Sequence, residues 1–227
     1  MSSTGSTSWT LVEGAAHGDV EQRSRFVEVY TPVVRAYLQA RWRDRAQRQE
    51  LDDAVQEVFF ACLRENGALA SADRSRPNRF RAFLYGITRN TALKVEDRQR
   101  RDAAPRNGQR VDLDDLPGHD APLSSIFDRA WARTILVDAL DRQETIAAAA
   151  GDGAARRLEL LRLRIHEDQP IRDIAAAWNE DAAHLHHEYA RARREFLSAL
   201  KATLADHASG PGSVTDEDVA ELLSLLG

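Results

Sequence analysis

Residues 50–63 read ELDDAVQEVFFACL, and the spacing of their apolar side chains decides the fold class. The apolar positions recur at steps of four, three, one and three, and they are Leu51, Val55, Val58, Phe59 and Cys62. This spacing is typical of one face of an α-helix, so the segment predicts a helix with a single buried stripe. Asp53, Gln56 and Glu57 fall on the opposite, polar side.

The segments on both sides of this helix have the same helical period. The upstream stripe consists of Phe26, Tyr30, Val33, Val34, Tyr37 and Leu38, and Pro32 favours the start of a second helix there. Downstream, residues 65–79 are rich in helix breakers and predict a loop. The segment that begins RFRAFLYGITRN then predicts a basic amphipathic helix whose inward side chains are Phe80, Phe83, Leu84 and Ile87.

The composition agrees with an all-α protein and sets limits on its location. Of the 227 residues, 43% are hydrophobic and 30% are charged, which is a globular composition. The N-terminal stretch MSSTGSTSWT has no basic residue and no apolar core, so we expect no secretory signal. No apolar run approaches the ~18 residues of a membrane span. Cys62 is the single cysteine, so no internal disulfide can form, and we expect a cytoplasmic protein.

Charge is distributed unevenly along the chain, although the net charge is only −5. Residues 74–110 contain 11 basic and three acidic side chains, whereas residues 111–128 contain five Asp and no Lys or Arg. Residues 205–227 contain five acids and no Lys or Arg. Blocks of this kind favour a nucleic-acid surface flanked by acidic segments, and a solvated charged helix face is the alternative.

These patterns predict two small helical domains joined by a flexible acidic linker. Helical periodicity stops between Asp102 and Ser125, where Pro, Gly and Asp accumulate. We therefore place a first domain at residues 9–103, a linker at 104–124, a second domain at 125–204 and an acidic extension at 205–227. In the extension, Thr215 is predicted to cap a helix with Asp218 at the capping-box distance. That helix either regulates a DNA-binding surface or only packs or frays at the chain end.

The second domain is predicted to end in a helix-turn-helix. A short helix ending at Trp178 is followed by Asn179, which suits a left-handed cap, and by Asp181, which can cap the next helix. The outward stripe of that next helix is His184, His187, Arg191 and Arg194. An exposed cationic stripe on the second helix is what a major-groove reader presents, and an ordinary helical hairpin with solvated arginines is equally compatible with the spacing.

A metal site at the histidines is not predicted. His184, His186 and His187 are close in sequence, and the first and third share a helix face. Neither a cysteine nor a third ligand on that face accompanies them, so solvent-facing or phosphate-facing histidines are the better interpretation. No cofactor is predicted either.

Taken together, these residues resemble the extracytoplasmic-function (ECF) sigma factors of bacterial RNA polymerase, over residues 9–203. Three motifs carry the resemblance: residues 52–59 (DDAVQEVF), residues 80–90 (FRAFLYGITRN) and residues 171–175 (IRDIA) with Arg191 to Arg193. The family implies a non-enzymatic protein that binds core RNA polymerase, recognises promoter DNA and starts transcription. An anti-sigma partner is possible, although the sequence shows none.

The resemblance also implies roles for individual residues. The implied core-polymerase contacts are Asp52, Asp53, Gln56 and Glu57. The implied contacts to the melted −10 element are Phe80, Phe83, Arg89, Asn90, Lys94, Arg98, Arg100 and Arg101. The implied contacts to the −35 element are Arg172, His184, His187, Arg191 and Arg194. For Phe80 and Phe83, packing in the core is the alternative role. At the turn of the helix-turn-helix the sequence departs from the family, which usually has Gly where Asn179 stands.

Two functions from other classes compete with this interpretation. A free-standing helix-turn-helix regulator would bind duplex DNA without polymerase, but it has no need for the acidic face at residues 51–59. A helical hydrolase could use paired carboxylates such as Asp52 and Asp53. Adjacent acids on a helix point to different faces, and no set of metal ligands accompanies them.

Overall fold

The structure, a computed structural model, describes residues 8–43, 45–65, 67–71, 79–103, 120–207 and 214–226. The α-helices in these ranges are α1 (Ser8–Ala16), α2 (Val20–Arg41), α3 (Leu51–Leu63), α4 (Arg79–Ala103), α5 (Asp120–Ala150), α6 (Asp152–Ile165), α7 (Ile171–Trp178), α8 (Ala182–His207) and α9 (Asp216–Ser224). Two short 3-10 helices span Ala46–Glu50 and Ala68–Ser71. The described residues contain no β-strand, which confirms the all-α prediction.

The described residues divide into two compact units. The first unit contains the described parts of 8–134 together with 206–207 and 220–226, and the second contains 135–205 and 214–219. This division differs from the boundary predicted at residue 125, because Phe127 and Trp131 pack on aromatic residues of the first unit. The predicted linker at 104–124 lies outside the described residues except for the first turn of α5.

An aromatic cluster forms the centre of the first unit. Tyr30 stacks on Trp131 with ring centroids 5.4 Å apart, and Phe80 lies against Phe26, Tyr30 and Trp131. His207 joins the cluster, with its Nδ1 3.2 Å from the Tyr30 hydroxyl. The predicted stripe of α2 is fully buried, so α2 lies at the centre of this core.

The helix break predicted at Pro32 is wrong. Pro32 lies inside α2, which runs without interruption from Val20 to Arg41. Proline removes one amide donor, which leaves the carbonyl of Glu28 without its helical partner. Both Pro32 and Glu28 are exposed, so water can bond to that carbonyl, while buried side chains before and after the proline hold the helix together.

The helix α3 has the buried stripe that its spacing predicts. Val55, Val58, Phe59 and Cys62 are buried, and Leu51 at the first turn is half-buried. Burial raises the pKa of the Cys62 thiol to about 12.

The second unit has a smaller core that supports the predicted helix-turn-helix. Leu160, Ile171, Ile174, Ala175 and Leu185 form a buried aliphatic cluster, covered by Trp178 and Tyr189 among others. Asn179 adopts the left-handed conformation at φ 53° and ψ 46°, as predicted, and caps α7. The Asp181 carboxylate accepts a hydrogen bond from the backbone N–H of His184 at 2.8 Å, which confirms the cap of α8.

The C-terminal extension contains the predicted capping box. The backbone N–H of Asp218 donates to Thr215 Oγ1 at 3.2 Å, and the Asp218 carboxylate accepts from the backbone N–H of Thr215 at 2.7 Å. These bonds lower the pKa of Asp218 below its ordinary value. Val219 and Leu222 are buried, whereas Leu223 is exposed, so α9 packs through a narrow apolar stripe.

Candidate functional site

The polar face of α3 is the first candidate surface. Asp52, Asp53 and Gln56 are exposed and Glu57 is partly exposed, opposite the buried stripe of the same helix. Two of the four have ion-pair partners within the first unit. Asp52 accepts from Arg35 Nη2 at 2.6 Å, and Glu57 accepts from Arg98 Nη1 at 3.0 Å.

Phe60 extends this face and was missed by the sequence interpretation. Its side chain is 71% exposed, and it follows Gln56 by one helical turn. Phe59 and Phe60 point about 100° apart, so only one of them can lie on the buried stripe. The two adjacent phenylalanines in the sequence therefore already indicate that one of them is exposed. Phe60 lines an open groove of about 890 Å³, whose other walls include Leu63 and the α1 residues Ala16 and His17.

The basic helix α4 is held in place by a buried ion pair. The guanidinium of Arg41 donates to both oxygens of Glu96, at 2.7 and 3.0 Å, and Trp42 Nε1 donates to the same carboxylate at 2.8 Å. Burial by itself raises the pKa of Glu96, but the bonds from Arg41 and Trp42 outweigh it and the net pKa is lowered. Glu96 is thus a charged residue at the centre of the packing between α2 and α4.

One face of α4 is open to solvent and continues from apolar to polar side chains. Phe83 and Ile87 are half-buried, and Asn90 and Lys94 follow them on the same face and are exposed. Gly86 lies beside them, and a Cβ there would meet no atom within 4 Å. The face therefore combines apolar surface, an amide and a cation, which suits contact with an unstacked nucleic-acid strand.

The remaining predicted contacts on α4 differ in their availability. Arg100 is exposed, Arg89 is half-buried, and Arg101 bonds to Asp97 of its own helix at 2.6 Å. Arg98 lies against Glu57 and Glu50. Phe80 is only 2% exposed, so the direct DNA contact implied for it is not available, and its packing role applies instead.

The cationic stripe of α8 is the second candidate surface for nucleic acid. His184, His187, Arg191 and Arg194 are all exposed, and the last three line a shallow groove of about 620 Å³. Arg172 near the start of α7 is also exposed and pairs with Asp173. The structure thus brings the four α8 residues onto one face, as their spacing predicts.

A partly buried arginine fixes α8 against α6. Arg157 donates from Nε to Glu195 at 3.0 Å and lies 3.5 Å from Glu188, and its side chain is 11% exposed. The bonds to Glu195 raise the pKa of Arg157 above its ordinary value. Glu195 also accepts from Arg191 of the cationic stripe at 3.2 Å. The positive charge of Arg157 therefore offsets the negative charges of Glu188 and Glu195, which lie on α8 near that stripe.

Comparison with known proteins gives a family match within the first unit. Residues 26–102 match the family model of sigma-70 region 2. This range contains α3 and α4, with both the acidic face and the basic helix. No curated protein and no solved structure matches the chain.

Residues 26–102 are thus similar to sigma-70 region 2, and this match supports a sigma-70 family sigma factor. Proteins of this class bind RNA polymerase and promoter DNA at the start of transcription and are not enzymes. No helix in the described ranges is long and apolar enough to cross a membrane.

Proposed function

We propose that this protein is an ECF-type sigma factor that binds core RNA polymerase through α3 and promoter DNA through α4 and α8. The observation that carries the proposal is the arrangement within the matched range. An exposed acidic face on α3 lies beside a basic helix whose open face combines Asn90 and Lys94 with half-buried apolar side chains. A free-standing DNA-binding protein has no use for the acidic face.

The acidic face of α3 is proposed to bind a basic surface of the polymerase. Asp53 has no ion pair among the described residues, and both Asp53 and Gln56 are exposed, so they are open to a partner. Charge complementarity of this kind speeds association and selects the partner. Phe60 continues the face and offers an apolar contact at its end.

The open face of α4 is proposed to hold the melted strand of the −10 element. Asn90 supplies an amide that can bond to the edge of an unpaired base, while Phe83 and Ile87 supply apolar surface beside it. Lys94, Arg100 and Arg101 contact phosphates, which positions the strand without reading its sequence.

The stripe on α8 is proposed to read the −35 element in the major groove. His184 and His187 lie within the first two turns of α8, the part of a recognition helix that reaches base edges. Arg191 and Arg194 lie further along the helix and contact the backbone. Selection of bound sequences from random duplexes should give a different preferred element for the His184→Ala/His187→Ala variant.

Charge reversal on α3 tests the central proposal. The Asp53→Arg/Glu57→Arg variant should lose most of its affinity for core polymerase, because like charges then meet at the interface. The matched control is Asp141→Arg/Glu144→Arg, which makes the same charge change at two exposed positions of α5. Equal core affinity of both variants and the wild type contradicts the proposal. Duplex DNA binding with no polymerase binding at all would instead indicate a free-standing regulator.

A further inference from the structure

Arg98 joins the two proposed surfaces of the first unit. It lies on the basic helix α4, yet its guanidinium faces carboxylates that precede it in the chain. Nη1 lies 3.0 Å from Glu57 Oε1, and Nη2 lies 3.3 Å from Glu50 Oε2. Glu57 is on the proposed polymerase-binding face, so one ion pair connects that face to the proposed DNA-binding helix.

Other cations of the same part of α4 are placed differently. Lys94 and Arg100 are exposed and have no ion pair among the described residues. Arg101 bonds to Asp97 one turn earlier in the same helix. Arg98 therefore differs from these neighbours in that its carboxylate partners lie in and just before α3.

The Arg98 contacts are weak enough to be replaced. The side chains of Arg98, Glu57 and Glu50 are 48%, 40% and 33% exposed. Ion pairs at this exposure contribute little to the stability of a fold, because water screens both charges. The bonds to Glu57 and Glu50 raise the pKa of Arg98 above its ordinary value. A guanidinium is charged at any working pH, so Arg98 can pair with another anion when it leaves Glu57.

A cation that approaches Glu57 weakens the hold on Arg98. Two positive groups at one carboxylate repel each other, and the one that is more loosely held moves away. The side chain of Arg98 is long and half exposed, so it can turn from Glu57 to another anion without a change in the helix.

We propose that Arg98 exchanges the carboxylates of Glu57 and Glu50 for a DNA phosphate when a cationic side chain of the polymerase takes Glu57. This inference rests on the proposed function. The free protein then has both surfaces partly neutralised by one internal ion pair, and polymerase binding makes one more cation available to promoter DNA. Because coupling between two binding sites is reciprocal, DNA binding through Arg98 strengthens polymerase binding through Glu57.

The first test measures affinity for core polymerase without DNA. Arg98→Gln uncovers Glu57 and should raise the affinity about two- to fivefold, the range that an exposed ion pair allows. Arg100→Gln is the matched control, because it removes the same charge from an exposed position two residues away. It should bind core polymerase as the wild type does. An Arg98→Gln variant that binds no more tightly than Arg100→Gln overturns the exchange.

The second test measures how promoter binding by the reconstituted holoenzyme depends on salt. Both variants should lower the slope of log affinity against log salt by roughly 0.7–0.9, the effect of one lost phosphate contact. A slope for Arg98→Gln equal to that of the wild type overturns the exchange, because Arg98 then reaches no phosphate.

A third variant removes the charge of Glu50, the other carboxylate partner of Arg98. Glu50→Gln lies outside the proposed polymerase contacts and loosens Arg98, so it should raise promoter affinity of the holoenzyme about twofold. The gain should vanish when Arg98→Gln is also present, and an equal gain in both backgrounds overturns the exchange. If the proposed function is wrong, the wild-type protein binds no core polymerase, and this result is distinct from all of the outcomes above.

Discussion

The two helices that present cations, α4 and α8, are fixed to their units by different kinds of ion pair. In the first unit, Arg41 and Glu96 have side chains that are 9% and 3% exposed, and Trp42 completes the network. In the second unit, Arg157 is nearly buried, but its partners Glu188 and Glu195 are about a third exposed. A buried pair resists the loss of either partner far more strongly than a half-hydrated one. The position of α4 should therefore depend on the carboxylate of Glu96, whereas α8 should keep its position when Arg157 is replaced.

The largest expected effect is that of Glu96→Gln. This variant removes the carboxylate that accepts two hydrogen bonds from the buried guanidinium of Arg41, so the free energy of unfolding of the first unit should fall by about 3–5 kcal/mol. Chemical denaturation followed by the fluorescence of the buried Trp42 and Trp131 measures the loss. Asp97→Asn is the control at the next residue, whose side chain is 47% exposed, and it should change stability by less than about 1 kcal/mol. Similar losses in both variants would contradict the difference drawn between the two kinds of pair.

The free energy of unfolding should also depend on pH in acid because of Glu96. The folded-state pKa of Glu96 lies below its ordinary value, so its charge stabilises the fold at pH values above the unfolded-state pKa of about 4.3. That contribution is lost as the pH falls through the lowered folded-state value. The stability difference between the wild type and Glu96→Gln should therefore be constant at neutral pH and shrink below about pH 4. A difference that stays constant into strong acid would show that Glu96 does not titrate in this way.

Arg157→Gln should have a smaller effect on the second unit. Its loss removes charge-assisted hydrogen bonds whose acceptors remain partly hydrated, so the expected change is about 1 kcal/mol. Arg162→Gln on the same helix is the control, since Arg162 is 66% exposed and should be neutral. Amide hydrogen exchange in α6 and α8 resolves the second unit from the first. A fall in the free energy of unfolding as large as that of Glu96→Gln would contradict the expected difference between the buried and the partly hydrated ion pair.

The smallest effect is expected at the turn of the helix-turn-helix. Asn179 has φ 53°, a conformation that glycine adopts without strain, so Asn179→Gly should stabilise the second unit by about 0.5 kcal/mol or less. Asn179→Ala should destabilise it, because alanine tolerates the left-handed conformation less well than asparagine does. Exchange of the amides of α7 and α8 measures both changes. Opposite signs for the two substitutions support the cap, and equal losses would contradict it.

Local features of both units could be predicted from the sequence because their causes lie within a few residues. The buried stripe of α3, the left-handed cap at Asn179 and the capping box at Thr215 each depend on neighbours within about one turn. The exposed stripe of α8 follows from the same helical period. These are the features for which residue type and spacing decide the outcome.

Features that depend on distant residues were not predictable in this way. Arg41 and Glu96 are 55 residues apart, and Tyr30 and His207 are 177 apart, so spacing gives no sign of either contact. Phe127 and Trp131 have a helical period that fits either unit, and only their aromatic partners assign them to the first. The break predicted at Pro32 is wrong for the same reason, because buried side chains from other helices hold α2 together.

The burial of Cys62 makes this side chain a sensor of opening in the first unit. Alkylating reagents attack the thiolate, and a thiol with a pKa of about 12 that lies inside a helix bundle offers almost none. Alkylation must wait until α3 leaves the core and the thiol recovers its ordinary acidity. Because the chain has a single cysteine, the rate at which one alkyl group is added reports how often the helix that carries the acidic face separates from the core.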